Sequence, residues 1–389
     1  MTCPMNILII HPHDIWSDYE PWTSRVRSIA GQLVQRGHRV RLVYFHHVGG
    51  EERQPPQAVF ESYPLVRAKR ALFHNIAAVV KQAAWADIIH VQKALPYAVF
   101  PALYAQVLTG KPLHYDWDDW EWQIYEAGAP VWGAGWYLRM FENRLPRLAD
   151  TVTVASSALA ARARALGVLD GRLFMSPVCV DLDLFNPVQN GDRIRKRFEI
   201  TKPLIMYVGQ LHDAQYASLL IDALKHVCER HDVHCMFVGG GSREGELIRA
   251  VLANGLSRHV TFAGSVSHAE IPQYLAAADI AIACFENNAV TRCKSPLKIV
   301  EYMAAGKAIV ASDVGDVRTM LGDAGLCVAP GDARALAAGI EQLLTDVPLR
   351  VSLESRARRR AEERFSWDTT INNLLCAYRR AQGLKGTNG

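Results

Sequence analysis

A short segment in the second half of the chain, residues 294–306 (KSPLKIVEYMAAG), has residue types that could bind an anion. Ser295 is a suitable N-cap for a helix, Pro296 suits the first helical position, and Gly306 suits the left-handed residue that ends many helices. The N–H groups at the start of such a helix attract negative charge. Acids are usually preferred in the first turn, so Lys298 there indicates an anion nearby.

The charged residues around this predicted helix have a spacing that would suit a nucleoside diphosphate. Arg292, Lys294 and Lys298 together would balance the charge of the two phosphates. Glu301 lies about one turn further on, where its carboxylate could accept hydrogen bonds from both hydroxyls of a ribose. An ordinary capped amphipathic helix with an exposed lysine and glutamate is the alternative from local physics alone.

The first half carries a second group of candidates, rich in aromatic and acidic side chains. They lie in residues 11–16 (HPHDIW) and in residues 114–137, a stretch that holds five tryptophans. Parallel sheets place the ends of such strands at a ligand crevice, so these side chains could stack on and hydrogen-bond a sugar or polyol. The predicted acceptor-binding residues are Asp14, Trp16, Asp116 and Trp120.

Two other interpretations of this group stay open. One is a partly buried aromatic cluster. The other is contact with a membrane surface, which the basic run 67–70 (RAKR) and three arginines, Arg139, Arg144 and Arg147, would favour. His90 ends a strand-like run and is more typical of a hydrogen-bonded buried histidine than of a catalyst.

Alternating strands and helices must position these candidates. Near-continuous apolar strands such as NILII, followed by amphipathic helices, indicate parallel sheets covered on both faces. The alternation restarts at LIMYVGQ, after the Pro-punctuated segment PVCVDLDLFNP. We predict two doubly wound α/β domains, residues 1–185 and residues 186–389, with a final helix that can pack back on the first.

Composition narrows the class of protein. The net charge of +4 is small for 389 residues and predicts no nucleic-acid partner. The eight cysteines show no CxxC pair, so we expect free thiols, a reducing compartment and no metal site. The first residues have no basic region before their short apolar run, which argues against a signal peptide, and no apolar stretch is long enough to span a bilayer. We expect a cytoplasmic protein that needs no cofactor.

The residues 295–315 (SPLKIVEYMAAGKAIVASDVG) resemble the signature helix of the family 4 glycosyltransferases. Further segments resemble the family in order along the chain: LVQRGHRVRLV, PRLADTVTVAS, VDLDLFNP, LIMYVGQL, MFVGGGSREGELI and VTFAGSVSHAEIPQYLAAADI. The resemblance implies the GT-B fold, in which two Rossmann-like domains face a central crevice. It also implies metal-independent transfer of a sugar, with retention, from a nucleotide-diphosphate sugar to a hydroxyl of a sugar, polyol or lipid-linked acceptor.

The resemblance also implies which residues bind the donor. They are Gly209, Gln210, Gln215, Gly240, Val266, Cys293, Lys294, Ser295, Leu297, Lys298 and Glu301. Three of these depart from the family pattern: Cys293 replaces a glutamate that contacts the sugar, and Gln210 and Gln215 replace an arginine and a lysine that contact the diphosphate. We predict that Lys294, Lys298 and Arg292 supply the missing charge. An unusual donor or a loss of activity are the alternatives.

Front-face substitution, the mechanism that the resemblance implies, needs no protein nucleophile. Lys298 is the predicted catalytic cation, and Asp118 is the second predicted catalytic residue, because counting from Pro112 places it where many members have a histidine beside the reacting sugar. The alternative is that Asp118 or Asp119 caps the next turn. Two rival functions are a pseudo-glycosyltransferase that couples a nucleotide cyclitol and a catalytically inert GT-B partner subunit. A peripheral contact at the inner membrane surface is compatible with each.

Overall fold

The computed structural model describes residues 3–16, 23–46, 58–127, 134–211 and 216–386. The chain divides into two compact units, Met1–Pro177 with Asp368–Gly389, and Val178–Trp367. The division therefore lies slightly before the boundary predicted after residue 185. Val180 and Phe185 belong to the second unit because both are buried in its core.

The described part of the first unit contains a seven-stranded sheet whose paired strands are all parallel. Its strands are β1 (Asn6–His11), β2 (Arg39–His46), β3 (Glu61–Val66), β4 (Ile88–Gln92), β5 (Leu113–Trp117), β6 (Thr151–Val154) and β7 (Leu173–Met175). Its helices are α1 (Thr23–Gln35), α2 (Leu72–Trp85), α3 (Pro96–Thr109), α4 (Glu121–Ala127), α5 (Ala134–Leu148) and α6 (Ser157–Ala165).

The strand order in this sheet is β3-β2-β1-β4-β5-β6-β7. The run Ile7–Ile10 in β1 is fully buried, as expected for a strand that is covered on both faces. The order reverses between β1 and β4, which places the carboxyl ends of these two strands and of β5 side by side. Such a switch point is where open α/β sheets bind ligands.

The described part of the second unit contains a six-stranded parallel sheet of order β10-β9-β8-β11-β12-β13. Its strands are β8 (Leu204–Val208), β9 (His234–Val238), β10 (Val260–Gly264), β11 (Ile280–Ala283), β12 (Ala308–Ser312) and β13 (Leu326–Val328). Its helices are α7 (Asp192–Arg197), α8 (Ala217–Cys228), α9 (Glu244–Ala253), α10 (Ile271–Ala277), α11 (Ala289–Cys293), α12 (Leu297–Ala304), α13 (Val317–Leu321), α14 (Ala333–Thr345) and α15 (Val347–Arg364).

Helix α12 is the helix predicted from residues 294–306. The predicted left-handed residue at its end is confirmed, since Gly306 has a φ of 63°. The predicted N-cap is wrong: the helix begins at Leu297 and Pro296, with an extended ψ of 113°, takes the cap position. Ser295 lies one residue too early to cap, and its Oγ accepts a hydrogen bond from the backbone N–H of Val178 at 3.5 Å.

The last helix, α16 (Trp367–Gly386), belongs to the first unit from Asp368 onward. Its Tyr378 is fully buried, and the hydroxyl shares a 2.7 Å hydrogen bond with Nδ1 of His90. The interpretation of His90 as a hydrogen-bonded buried histidine is thereby confirmed. None of the helices in the described part of the chain has the length and apolarity to cross a bilayer.

Candidate functional site

Glycines at the ends of β8 and β9 allow two loops to approach closely. Gly209 and Gly239 have φ values of 149° and 138°, which other residues rarely adopt. A Cβ atom on Gly239 would lie 2.0 Å from the carbonyl oxygen of Gly209, so a side chain is excluded there. Gly240 is similarly enclosed, because a Cβ atom on it would lie 2.6 Å from Ser265 Oγ. These loops therefore offer backbone, and little side chain, to a ligand.

Lys298 reaches back from α12 to this glycine turn. Its Nζ lies 2.8 Å from the position that a Cβ atom on Gly209 would take, and 4.0 Å from the ring centroid of Tyr207. The pKa of Lys298 is lowered to about 8, chiefly by burial and also by the charge of Lys294, against the opposing effects of Cys284 and Glu301. The structure thus brings together Gly209 and Lys298, two residues that the sequence analysis assigned to the donor.

Tyr302 ties α12 to the end of β8 and so fixes where Lys298 points. The Tyr302 hydroxyl accepts a 2.8 Å hydrogen bond from the backbone N–H of Val208, and the ring is fully buried. Tyr302 lies one turn after Lys298 on the same helix face. This hydrogen bond therefore links the helix directly to the residue that precedes the glycine turn.

Glu301 is held by a histidine that the sequence analysis did not select. The Glu301 side chain is almost fully buried, and its Oε1 lies 2.7 Å from Nε2 of His268. His268 lies in a 3₁₀ turn (His268–Glu270), is 48% exposed, and packs beside Phe185 at 5.3 Å between ring centroids. His268 lies two residues after Val266, inside a segment (VTFAGSVSHAEI) that resembles the family, and this position could have identified it as a candidate. The pair orients one Glu301 oxygen.

The other donor candidates occupy different surroundings. Cys293 is buried at the end of α11, and Lys294 follows it directly. Arg292 is exposed, and its Nε donates to Asn287 Oδ1 at 2.6 Å. Leu297, the first residue of α12, is partly exposed. Two further donor candidates, Gln210 and Val266, are half-buried, and Gln215 lies outside the described residues.

In the first unit, a lysine and three acids meet where β4 and β5 end; we call Lys93, Asp118, Asp119 and Glu121 the acid cluster. Nζ of Lys93 lies 3.3 Å from Asp118 Oδ1 and 4.0 Å from Asp119 Oδ2, and it also pairs with Glu121 Oε1. Lys93 has a φ of 62°, a left-handed conformation that costs free energy for a residue with a Cβ atom. Its backbone is held in this conformation with the ammonium group among the acids.

The acid cluster keeps its lysine charged. Burial by itself lowers the pKa of Lys93, but the carboxylates of Asp118, Glu121 and Asp119 raise it by more, so the net pKa is higher than usual. Burial also raises the pKa of Glu121. The charge of Lys93 is therefore balanced within the protein, and the three acids leave the cluster with an excess of negative charge.

A hydrogen-bonded chain links the acid cluster to the end of β1. Nε2 of Gln92 donates to Asp118 Oδ2 at 3.1 Å, and Oε1 of Gln92 lies 2.9 Å from Nδ1 of His11. Because an amide oxygen only accepts, Nδ1 of His11 must carry the proton, and Nε2 is left as an acceptor. Burial and the nearby His13 and Lys93 hold the pKa of His11 well below its usual range, so the ring is neutral. Its Nε2 is buried and has no hydrogen-bond partner among the residues that the structure describes.

Glu142, buried on α5, caps the start of α4. Its Oε1 accepts from Trp117 Nε1 at 2.9 Å and from the backbone N–H of Glu121 at 2.8 Å, and its Oε2 accepts from the N–H of Trp122 at 2.9 Å. Burial raises the pKa of Glu142 to about 8, with these hydrogen bonds opposing the shift. The first N–H groups of α4 are therefore capped by Glu142 and not by Asp118.

The predicted acceptor-binding residues lie in two kinds of surroundings. Asp116 is fully buried, accepts from Thr153 Oγ1 at 2.7 Å and pairs with Arg25 at 3.4 Å. Three others lie in the loops: Asp14 Oδ1 accepts from the N–H of Trp16 at 2.9 Å, and Arg162 stacks over Trp120 at 4.3 Å. Trp16 and Trp120 each have a buried indole N–H with no partner among the described atoms.

No group of three or more histidine, cysteine, aspartate or glutamate side chains in the described ranges has a geometry that could hold a metal ion.

Two family models match the chain, one in each half. The model described as "Glycosyl transferase 4-like domain" matches residues 22–179, and the model described as "Glycosyl transferases group 1" matches residues 202–346. Together they span most of the chain, and their matched ranges contain most of both groups of candidate residues described above.

Curated proteins and solved structures agree with these models. The D-inositol 3-phosphate glycosyltransferase of Jonesia denitrificans is 27% identical over 218 residues, which are 52% of this chain and 50% of the relative. The chain thus spans about half the length of the curated relatives it matches first.

Among solved structures, sucrose-phosphate synthase from Thermosynechococcus elongatus has a TM-score of 0.77 at 20% identity, covering 98% of this chain and 100% of that one. Anabaena HepE in complex with UDP-glucose has a TM-score of 0.75 at 20% identity, with the same coverage of 98% and 100%. The identities are low, so these likenesses establish the fold. With the GT-B fold and both family models in place, the chain belongs to the family 4 glycosyltransferases, as its sequence predicted.

Proposed function

We propose that the protein is a retaining glycosyltransferase that moves a sugar from a nucleotide-diphosphate sugar to a hydroxyl group by front-face substitution. In this reaction the bond between the anomeric carbon and the diphosphate oxygen breaks, and the acceptor oxygen bonds to the same face of that carbon. The acceptor proton passes to the leaving diphosphate oxygen. The protein supplies positioning and stabilises the departing charge, and it needs neither a nucleophile of its own nor a metal ion.

The observation that carries this proposal is the position of the Lys298 ammonium at the Gly209 turn. Related enzymes hold the diphosphate with an arginine and a lysine from this loop, and here Gln210 and Gln215 replace them. Lys298 brings a positive charge from α12 to the same turn, and its Nζ lies 2.8 Å from the position that a Cβ atom on Gly209 would take. This supports the hypothesis that α12 supplies the charge that the loop lacks.

Glu301 would bind the ribose of the donor, and His268 would hold Glu301 in position. Hydrogen bonds to a carboxylate are stronger than those between neutral groups, and a carboxylate can accept from two adjacent hydroxyls. His268 fixes the orientation of Glu301 through the 2.7 Å contact. We assign Glu301 as the ribose-binding residue and His268 as its positioning residue.

The first unit would bind the acceptor hydroxyl. Asp118 lies at the end of the chain that runs through Gln92 to His11, and both Asp118 and the neutral His11 can accept a hydrogen bond. Trp16 is buried and its ring stacks on Phe60 at 6.2 Å, so it is not available to a sugar ring. An acceptor sugar or polyol would instead stack on the half-buried Trp120, as aromatic side chains commonly do with sugar rings. We also propose a cytoplasmic enzyme in peripheral contact with the inner surface of a membrane, which would suit a lipid-linked acceptor.

A binding screen tests the donor half of this proposal. The protein is titrated with UDP-, GDP-, ADP- and dTDP-sugars while its melting temperature is followed, because a ligand that binds the native state stabilises it. We expect one nucleotide to stabilise the protein, and we expect Glu301→Ala to weaken that nucleotide by roughly 10- to 150-fold.

The matched control is Glu363→Ala, which removes an exposed glutamate from α15 and should leave the affinity unchanged. If no nucleotide stabilises the protein, the inert-subunit alternative replaces the proposal. If a donor binds and Glu301→Ala leaves its affinity intact, Glu301 is not at the site. Analysis of the product then separates a glycosidic bond from the cyclitol coupling of a pseudo-glycosyltransferase.

A further inference from the structure

Large apolar side chains are exposed along α3 and α5 of the first unit. They are Tyr104, Val107, Leu108, Trp136, Tyr137 and Leu148, and we call this surface the α3–α5 face. Val107 is 79% exposed, Trp136 68% and Leu108 65%, values more usual for charged side chains. Exposed apolar side chains are common singly, but a group on two adjacent helices marks an interaction surface.

The two helices form one continuous surface. Phe100 on α3 contacts Tyr137 and Phe141 on α5, with ring centroids 6.4 and 4.8 Å apart. An apolar groove of about 260 Å³ runs between the helices, lined chiefly by aliphatic and aromatic side chains. Arg144 is the one charged residue in its lining. The groove could accept part of a hydrocarbon chain with an anionic group beside Arg144.

The charges exposed on α3 and α5 themselves have a single sign, and one exposed acid of α4, Glu126, lies against Gly135 at the start of α5. Helix α3 contains no charged residue, and the only acid of α5, Glu142, is buried and engaged at the start of α4. The exposed charges of α5 are Arg139, Arg144 and Arg147. Arg144 lines the groove, whereas Arg139 stacks over Trp122 and Arg147 donates to the carbonyl of Leu166, so Arg144 is the charge best placed on this face. A surface with exposed tryptophan and tyrosine, aliphatic side chains and arginines is typical of proteins that lie on anionic membranes.

We propose that the α3–α5 face docks on an anionic lipid surface, with the apolar side chains entering the headgroup region and the arginines contacting lipid phosphates. A second copy of this chain suits the face less well, because a symmetric dimer would bring like-charged arginines together. This inference extends the peripheral contact included in the proposed function. Helix α5 would then contribute to lipid docking and also to the proposed acceptor site. Its buried Glu142 accepts hydrogen bonds from Trp117 and from the backbone N–H of Glu121, a member of the acid cluster.

Vesicle sedimentation tests the docking surface on the full chain. The protein is mixed with vesicles of phosphatidylcholine alone and with vesicles in which about a third of the lipid is phosphatidylglycerol. We expect binding to the anionic vesicles that weakens as salt is added, and much weaker binding to the neutral ones. Arg144→Glu should lower the partition coefficient by about tenfold or more, because it replaces an attraction with a repulsion.

The apolar contribution is tested by the double substitution Val107→Ser with Leu108→Ser, which should also lower partitioning by about tenfold. The matched controls are Arg359→Glu and Leu252→Ser, which make the same changes at exposed positions of α15 and α9 in the second unit. Both controls should bind anionic vesicles as the unmodified protein does.

Three results would overturn the inference: no binding to either vesicle, equal losses in the controls, or a concentration-dependent dimer that the Val107 and Leu108 substitutions abolish. The last result would assign the face to a protein interface. Nucleotide stabilisation is measured on the same samples. Retained stabilisation without vesicle binding refutes the docking surface alone, and vesicle binding without stabilisation by any nucleotide refutes the proposed donor site alone.

Discussion

Each unit has a lysine at the end of its sheet, buried in the first unit and partly buried in the second, and the surroundings shift the two pKa values in opposite directions. Burial lowers the pKa of Lys298 to about 8. Burial acts on Lys93 in the same sense, but three carboxylates overcome it and raise the pKa. The difference lies in what surrounds the ammonium group: a tyrosine ring and a glycine turn for Lys298, and the acid cluster for Lys93.

This contrast indicates different roles for the two lysines. A buried cation whose pKa is raised already has its charge balanced by the protein, so we expect Lys93 to hold the acid cluster together. A buried cation whose pKa is lowered gains most from an added anion, because the anion restores the interaction energy lost on desolvation. We therefore expect the anionic donor of the proposed reaction to bind in the second unit, and the first unit remains the proposed place for the hydroxyl-bearing acceptor.

The largest expected effect comes from Lys298. The substitution Lys298→Gln should lower kcat by roughly 100- to 1,000-fold, because negative charge grows on the diphosphate as its bond to the anomeric carbon breaks. Donor affinity should fall by less than kcat, since the ground-state diphosphate carries less charge at the bridging oxygen. Steady-state kinetics and a direct donor titration measure the two quantities.

Lys294→Gln is the matched comparison, because Lys294 lies in the same segment and is also predicted to balance the diphosphate. A kcat within about twofold of the unmodified enzyme for both variants would end the compensation hypothesis. A large loss for Lys298→Gln alone would assign the charge to the residue at the glycine turn.

Asp118 provides the next largest test, in the other unit. Asp118→Asn should lower turnover by roughly 100-fold, as expected for a positioned catalytic group, with donor affinity nearly unchanged. Its melting temperature should also fall, because Asp118 is a charge partner of the buried Lys93. Asp119→Asn removes a carboxylate that is 4.0 Å from the same lysine, so it controls for the general charge of the acid cluster. Equal losses in both variants would show that cluster charge matters and the position of Asp118 does not. An Asp118→Asn protein that melts early but turns over normally would make Asp118 structural.

Much of the fold could be predicted because its signals are local. Continuous apolar strands such as Ile7–Ile10 indicate buried parallel strands, and Gly306 marks the end of α12 through its lack of a side chain. The predicted N-cap is one residue too early, because serine and proline are both common at the start of a helix and the sequence Ser295-Pro296 allows two starting points. The chain conformation at Pro296 decides between them.

The acid cluster could not be predicted because it depends on contacts between distant parts of the chain. Lys93 follows β4 and looks like any lysine after a strand, yet it pairs with Asp118 and Glu121, which follow β5. Glu142 is one acid in an amphipathic helix, and only the packing of α5 reveals it as the cap of α4. His268 could have been found, since it lies inside a segment already matched to the family.

The smallest expected effect is a pH dependence that distinguishes the two lysines. Lys298 with a pKa of about 8 is charged below that pH and neutral above it, so donor binding should be constant up to neutrality and weaken as the pH rises. Between pH 7 and pH 9 the fraction of charged Lys298 falls about tenfold, and the apparent donor Kd should rise by about the same factor. Lys93 should contribute no change over this range, because its pKa is raised.

Lys298→Arg isolates this effect, because a guanidinium keeps its charge throughout the range. The same donor is titrated against both proteins at each pH. Any ionisation of the nucleotide base affects both sets of Kd values equally, so the difference between the two plots of Kd against pH reports Lys298 alone. We expect the rise in Kd to disappear in the arginine variant even if the variant binds more weakly overall. A rise that persists unchanged in Lys298→Arg would mean that another group titrates. The contrast between the two buried lysines would then no longer explain how the second unit binds an anion.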